Sequence, residues 1–132
     1  MTRGVGKMRP WLPLNADADV LNVSIQAADL RSILSLYRAL IRLRRNNDVL
    51  SVGEFSFVGT TDYVLAYERR LGDQCVLIAL NMTDQAQTLR VGKSAREVLL
   101  STYLDDACAL HEEEIHLRAN EGLVLRALSD VT

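Results

Sequence analysis

The sequence has little of what marks several large classes of protein. Of its 132 residues, two are cysteine and two are proline, and aromatic residues make up 5%. Two cysteines are too few for a disulfide scaffold or a structural zinc site, so a reducing compartment, the cytoplasm, is expected. No apolar run reaches the roughly 18 residues that cross a bilayer. No apolar core follows the charged N-terminus, so a secretory signal is not expected.

Neither sign of charge dominates the chain. Lys and Arg number 15 and Asp and Glu 17, which gives a formal net charge of -2. A nucleic-acid-binding surface usually needs a basic excess, so neither a nucleic-acid partner nor a membrane is expected. With 48% hydrophobic residues the chain can bury the core of one domain. It is too short for a (β/α)8 barrel, which needs roughly 200 residues.

The first part of the chain divides into an arm and a helix. Residues 1–27 hold both prolines and no clear period, which predicts an extended arm with a strand-like piece at 20–25. Residues 28–48 predict one amphipathic helix with Asp29 or Ser24 as its N-cap, because apolar side chains recur at helical spacing. This apolar stripe consists of Leu30, Ile33, Leu34, Tyr37, Leu40 and Ile41.

The predicted helix carries more than one stripe. Leu36 and Leu43 lie off the main stripe and form a lesser apolar side, so the helix is expected to be covered on more than one side. Arg38, Arg42 and Arg45 recur at i, i+4 and i+7, which predicts a solvated or salt-bridged face.

From residue 49 to 132 the period becomes two, and short apolar-polar segments alternate with turn signals. Together they predict an antiparallel sandwich or barrel of about seven strands. The strands are expected at 54–58, 63–70, 75–80, 87–91, 97–102, 110–117 and 122–128, with the polar segment 110–117 at a sheet edge. The expected core residues are Leu65, Tyr67, Val76, Ile78, Leu80, Val98, Leu100, Leu123 and Leu125.

Candidate chemistry is sparse. His111 and His116 flank three glutamates, but positions five apart on a strand point to opposite faces, so a shared metal is not expected. Cys75 begins a strongly apolar strand and is expected to be a buried, inert thiol, and Cys108 lies in a predicted loop without a role. No catalytic, metal or cofactor site is predicted. Trp11 is the candidate ligand-binding residue, because an indole can stack on a sugar ring.

Four segments, in order, carry a family resemblance. Residues 10–15 read Pro-Trp-Leu-Pro-Leu-Asn, and residues 22–44 contain Asn-Val, a Gln and Ser-Ile-Leu-x-x-Tyr-Arg-x-Leu-Ile-x-Leu-Arg. Residues 64–69 read Val-Leu-Ala-Tyr-x-Arg, and residues 76–81 read Val-Leu-Ile-Ala-Leu-Asn. This series resembles the α-glucosidase branch of the α-amylase superfamily, glycoside hydrolase family 13.

The resemblance implies the C-terminal end of such an enzyme: a loop and the last helix of the catalytic barrel, then a Greek-key β-sandwich. The family's Asp nucleophile, Glu acid/base and further Asp lie on upstream barrel strands, whose motifs this sequence lacks. Retaining glycosidases need two carboxyl groups about 5 Å apart, and no such pair is evident. The expected function is a non-catalytic accessory β-domain with a structural or assembly role in carbohydrate metabolism. The alternative is a stand-alone oligosaccharide-binding or homo-oligomeric interaction module.

Without a barrel beside it, the apolar stripe needs another cover. Burying its six side chains is worth on the order of 10 kcal/mol. The stripe is therefore expected to be an interface, in a homo-oligomer or with a separate barrel protein, or to fold tightly onto the sandwich.

Overall fold

The helices precede the strands along the chain. The computed structural model describes residues 12–92, 96–105, 110–111 and 113–128. The helices in this part are α1 (Val23–Ala28), α2 (Ile33–Arg45) and α3 (Asp48–Val52). The strands are β1 (Glu54–Phe57), β2 (Val64–Leu71), β3 (Gln74–Asn81), β4 (Gln87–Arg90), β5 (Arg96–Ser101), β6 (Leu110–His111), β7 (Glu114–Leu117) and β8 (Gly122–Ala127). The mainly β, α+β fold class is confirmed.

Helix α1 stands where the sequence predicts a strand-like piece at 20–25. Its N-cap is Asn22, whose Oδ1 accepts a hydrogen bond from the Ile25 N–H at 3.0 Å. A capping side chain satisfies a backbone donor that the first helical turn leaves unpaired, and so favours helix over extended chain. The strand-like prediction was wrong because the capping contact depends on one polar side chain. Such a contact leaves no mark on the spacing of apolar residues, on which the prediction relied.

Helix α2 begins later than its apolar pattern suggests. Ser32 is the N-cap, and its Oγ accepts from the Ser35 N–H at 3.1 Å. The two predicted caps do not act on α2, since Asp29 is the C-cap of α1 and Ser24 lies within α1. The predicted range 28–48 therefore holds one complete helix, α2, preceded by a turn that contains its cap. α1 ends where the range begins, and α3 begins where it ends.

The strands form two antiparallel sheets, as the sandwich prediction requires. The larger sheet has the order β1-β2-β3-β8-β5, and the smaller has the order β4-β7-β6. β8, the last strand, lies between β3 and β5, with Ile78 opposite Val124 and Val98 opposite Leu125. The two halves of the β region are therefore joined by pairing between residues far apart in sequence.

The segment predicted as one polar edge strand, 110–117, is a tight hairpin. β6 and β7 pair with each other, with Leu110 opposite Ile115. β7 also pairs with β4, which makes it the central strand of its sheet. Ile115 and Leu117 alternate inward and are buried. The edge prediction is right for β6, which is an edge strand, and wrong for β7, whose two buried apolar residues stand among glutamates and histidines in the sequence.

The main core fills the space between the two sheets. It combines Val64 and Ala66 of β2 with Leu77 of β3, Leu89 of β4 and buried residues of β7 and β8. A smaller cluster lies on the opposite face of the larger sheet, beneath Val49 of α3. Of the predicted core residues, Val76, Ile78, Leu123 and Leu125 are buried, Tyr67, Leu80, Val98 and Leu100 are half-buried, and Leu65 is exposed.

Leu65 was assigned to the wrong face of β2. Side chains alternate across a strand, so the face that holds Val64 and Ala66 cannot hold Leu65. In the sequence, Leu65 was the more plausible core residue because its side chain is larger than those of Val64 and Ala66. The packing between the sheets has room for the smaller pair, since Ala66 is fully buried.

Replacing Leu77 with alanine is expected to lower the free energy of unfolding by about 2–5 kcal/mol, because Leu77 is 1% exposed at the centre of the main core. Leu30→Ala removes the same atoms from a side chain that is 82% exposed, and is expected to cost less than about 0.5 kcal/mol. Urea unfolding of the two variants measures the contrast. Similar losses would place Leu77 outside the core.

Candidate functional site

The lesser apolar side of α2 faces its own domain. Leu36, Ala39 and Leu43 are half-buried, and α2 packs near α3 and β5. Two contacts from Gln26 of α1 set the position of α2: its carbonyl accepts from the Ser32 Oγ at 2.6 Å, and its Oε1 accepts from the Leu34 N–H at 3.1 Å. The predicted second apolar side is thus the one that the domain covers.

The main apolar stripe points away from the domain. We call its residues the helical face: Leu30, in the turn before α2, and Ile33, Leu34, Tyr37, Leu40 and Ile41 of α2. Leu30 is 82% exposed, Ile33 69% and Tyr37 62%, and only Leu34 of the six is half-buried. Folding of this stripe onto the sandwich, one of the expected arrangements, is therefore not found. A helix can bury one side against its own domain, and α2 buries the side of Leu36 and Leu43.

More apolar side chains are exposed in the segment before α2. Val20, Leu21, Val23 and Ile25 are all exposed, and α1 packs against α2. Monomeric soluble proteins rarely expose contiguous apolar patches larger than a few hundred Å², and larger ones mark interaction sites. The α1–α2 region is therefore the candidate interaction surface among the described residues.

A second apolar group lies on the outer face of the larger sheet, at its β1 edge. The Phe55 ring centroid is 4.9 Å from that of Phe57 and 5.1 Å from that of Tyr67. Phe55 and Phe57 are exposed, and Tyr67 packs against the small cluster under α3. The alternation Phe-Ser-Phe predicted the strand, but the shared face with Tyr67 depends on the β1–β2 register, Phe57 opposite Tyr67.

A charged network closes the end of the sandwich and has no signal in the sequence. Arg118 donates to Asp105 at 2.8 Å and to Glu121, and its guanidinium lies 4.0 Å from the centre of the Tyr103 ring. Glu121, only 2% exposed, also accepts from the Ser101 Oγ at 2.6 Å. The five residues come from two short segments, 101–105 and 118–121, so the meeting of these two segments is a property of the tertiary structure.

The electrostatics of this network are those of a structural ion pair. Burial by itself would raise the pKa of Glu121, but hydrogen bonds from Arg118 and Ser101 outweigh it and hold that pKa below its usual value. Hydrogen bonds to Asp105 and Glu121 raise the pKa of Arg118. Both groups are therefore charged at neutral pH and bound to each other. Such a pair holds two parts of the chain together and does not serve proton transfer.

The residues considered for chemistry do not come together. Burial raises the pKa of the Cys75 thiol, which agrees with an inert core cysteine. The His116 Nδ1 lies 3.0 Å from the Thr88 Oγ1. Trp11, Cys108 and the side chain of His111 lie outside the described residues, so sugar stacking by Trp11 stays a prediction.

Three or more His, Cys, Asp or Glu side chains placed to hold a metal ion do not occur within the described ranges. No helix there is long and apolar enough to cross a membrane.

A shallow groove of about 540 Å³ opens beside the smaller sheet. Its walls are formed by Gly59, Thr61, Thr88, Leu89, Arg90 and Glu114. Glu114 is the single carboxylate in this lining, and it is paired with Arg90 at 3.1 Å. Retaining glycoside hydrolysis uses two carboxyl groups about 5 Å apart, so this groove does not have the arrangement for that reaction.

Most of this chain is similar in sequence to a small part of several longer proteins. A glucan 1,6-alpha-glucosidase from Streptococcus dysgalactiae subsp. equisimilis is 33% identical over 91 residues, which are 69% of this chain and 17% of that protein. An amino acid transporter heavy chain from Homo sapiens is 34% identical over 122 residues, 86% of this chain and 18% of that protein. The aligned part is the C-terminal portion of the glucosidases.

The chain is homologous to the C-terminal region of glycoside hydrolase family 13 α-glucosidases. The resemblance seen in the sequence is thereby confirmed. No family model matches the chain.

The solved structures agree with this family 13 region in fold. An isomaltulose synthase from Klebsiella sp. LX3 superimposes with a TM-score of 0.84 at 22% identity, over 92% of this chain and 22% of that one. This chain spans about a fifth of the length of the proteins it matches. The catalytic barrel of the family is not part of the 132 residues.

Proposed function

We propose that this family 13 C-terminal domain is a non-catalytic accessory domain that docks on a (β/α)8 barrel through the helical face. The observation that carries the proposal is the exposure of Ile33, Tyr37 and Ile41 on a helix whose other side is already packed. The resemblance supports a barrel as partner: because it equates α2 with the last helix of the barrel, the helical face takes that helix's place on a barrel from which this region is missing. The role is structural, in a protein of carbohydrate metabolism.

The energetics favour a covered helical face. Fully burying one Leu, Ile or Tyr-sized apolar side chain is worth about 1.5–3 kcal/mol, so the exposed members together offer several kcal/mol to a partner. Part of that gain is lost to the ordering of side chains and to the entropy of association. The remainder is sufficient for a specific complex when the partner surface is complementary and already formed.

The direct test is titration against a barrel that lacks its own C-terminal region. The glucan 1,6-alpha-glucosidase of Streptococcus dysgalactiae subsp. equisimilis, shortened by the region this chain matches, supplies that barrel. Calorimetric titration is expected to give a one-to-one complex with a Kd of about 10 μM or tighter, within the range of interfaces of ordinary size. Absence of binding to a barrel shown to be folded by circular dichroism would contradict the proposal.

Two controls make the titration decisive. The uncut glucosidase has its own C-terminal region in place and is expected not to bind. If the shortened enzyme does not fold alone, co-expression with this chain is expected to recover it in soluble form. Light scattering on this chain alone tests the homo-oligomer alternative, because a stable dimer would cover the helical face with a second copy.

The predicted cytoplasmic location and the oligosaccharide-binding alternative stay predictions. The shared homology region supports only the carbohydrate-enzyme context of the domain. Neither the helical face nor the apolar group of Phe55, Phe57 and Tyr67 provides the array of polar side chains that would orient a sugar.

A further inference from the structure

A row of arginines runs along α2 beside the helical face. The helix Ile33–Arg45 contains Arg38, Arg42, Arg44 and Arg45 and no Asp or Glu. All four side chains are exposed. None of them makes an ion pair or a side-chain hydrogen bond with any residue in the described part of the chain.

Helical geometry places three of these arginines in a line. At about 100° per residue, Arg38, Arg42 and Arg45 share one side of α2, next to the side of Tyr37 and Ile41. At 1.5 Å per residue the row is about 10 Å long. A partner that covers Tyr37 and Ile41 therefore brings its own surface within reach of the arginine row.

The helix's own stability does not account for the row. Cations in the last turn interact favourably with the helix dipole, which explains Arg42, Arg44 and Arg45. Arg38 lies a turn earlier, where that interaction is weak. Like charges at i, i+4, as at Arg38 and Arg42, are mildly destabilising. A charge from outside the domain would remove this repulsion.

From this arrangement we infer that the partner surface carries a row of carboxylates, which pairs with Arg38, Arg42 and Arg45 along one edge of the apolar contact. The inference rests on the proposed function for the class of partner, a (β/α)8 barrel, and adds the chemistry by which the barrel is recognised. Complementary charge at an interface edge fixes orientation and accelerates association.

The test compares two double variants with the same change in net charge. Arg38→Gln with Arg42→Gln neutralises the row. Arg70→Gln with Arg90→Gln neutralises two exposed arginines on strands, each paired within the domain to Glu68 or Glu114. Both are titrated against the shortened Streptococcus dysgalactiae glucosidase at about 0.05 M and about 1 M salt, where the Debye length falls to about 3 Å.

At low salt the Arg38/Arg42 variant is expected to bind about two- to thirtyfold more weakly than the unsubstituted chain, the range for two edge ion pairs. The Arg70/Arg90 variant is expected to bind as the unsubstituted chain does. At high salt the three affinities are expected to converge. Replacing Arg38 and Arg42 with lysine, which keeps the charges, is expected to restore most of the low-salt affinity.

The failures are distinguishable. If all chains bind equally tightly at low salt, the carboxylate row is wrong and the barrel proposal stands. If the unsubstituted chain does not bind the folded barrel, the proposed function is wrong, and the inference that rests on it is overturned as well. If light scattering shows a dimer that dissociates with salt, the row pairs with a second copy and not with a barrel.

Discussion

Arg118→Ala is expected to lower the free energy of unfolding by about 2–4 kcal/mol, somewhat less than removing one partner of a fully buried ion pair, because the Arg118 side chain is 34% exposed. The substitution leaves the carboxylate of Glu121, 2% exposed, without its countercharge. It also removes the bonds to Asp105 and the contact with the Tyr103 ring. Urea unfolding monitored by circular dichroism measures the loss.

The matched control is Arg90→Ala. Arg90 is also paired with a glutamate, Glu114 at 3.1 Å, but its side chain is 87% exposed. Exposed pairs contribute about 0–1 kcal/mol, so this variant is expected to lose no more than that. Arg118→Lys is expected to fall between the two, because one ammonium cannot bind two carboxylates with the planar fork of arginine. Equal losses in the two alanine variants would contradict a special role for the network.

The pH dependence gives a second reading of the same network. Because the pKa of Glu121 is lowered in the folded state, its ionised form contributes stability above its usual pKa, and that contribution is lost as pH falls through the folded value. In Arg118→Ala burial is opposed only by the hydrogen bonds from Ser101 and from the backbone N–H of residue 118, so the pKa of Glu121 is higher than in the unsubstituted chain and the carboxylate takes up its proton at higher pH. The difference in stability between the two proteins is therefore expected to narrow from pH 7 to about pH 4. A constant difference would mean that Glu121 does not carry it.

Ile33→Asp is expected to weaken binding to the shortened glucosidase at least thirtyfold, about 2 kcal/mol, without lowering the stability of the isolated domain. Ile33 is 69% exposed, so the isolated domain loses no packing. Aspartate also suits the first position of α2, near the positive end of the helix dipole. In the complex, by contrast, the carboxylate would be desolvated against an apolar surface.

Met82→Asp provides the comparison for this variant. Met82 is likewise 69% exposed but lies in the turn after β3, outside the helical face. Its substitution is expected to leave the Kd for the barrel unchanged, and both variants are expected to unfold within about 0.5 kcal/mol of the unsubstituted chain. Equal weakening by the two substitutions would show that added negative charge, and not the helical face, controls binding.

The local patterns in the sequence were sufficient for most of the strands. Alternating apolar residues between turn signals located β2, β3 and β8 to within a residue or two, because a strand buried on at least one face requires that alternation. The continuous apolar run at 75–80 also predicted a strand buried on both faces, and residues 76–79 are all buried. The family resemblance rested on contiguous segments, so it too could be recognised from the sequence without the structure.

Predictions that required a choice between faces were less successful. The sequence showed two apolar sides on α2 but not which one the domain would cover, because that depends on the space left beside α3 and β5. Likewise, the alternation in β2 left open whether Val64 or Leu65 faces inward. Which of the two faces inward depends on how β2 pairs with β3, where Val64 lies opposite Asn81 and Leu65 opposite Leu80.

The sequence by itself determined the fold class, the region of the family that the chain matches and the existence of an apolar stripe on α2. These depend on periods and motifs within short segments. Only the tertiary structure decided that this stripe is left outside and that Arg118 meets Glu121, Asp105 and Tyr103. The reason is that burial and charge pairing are properties of neighbours in space. Arg118 and Glu121 lie on one turn, but Tyr103 and Asp105 reach them from another segment of the chain.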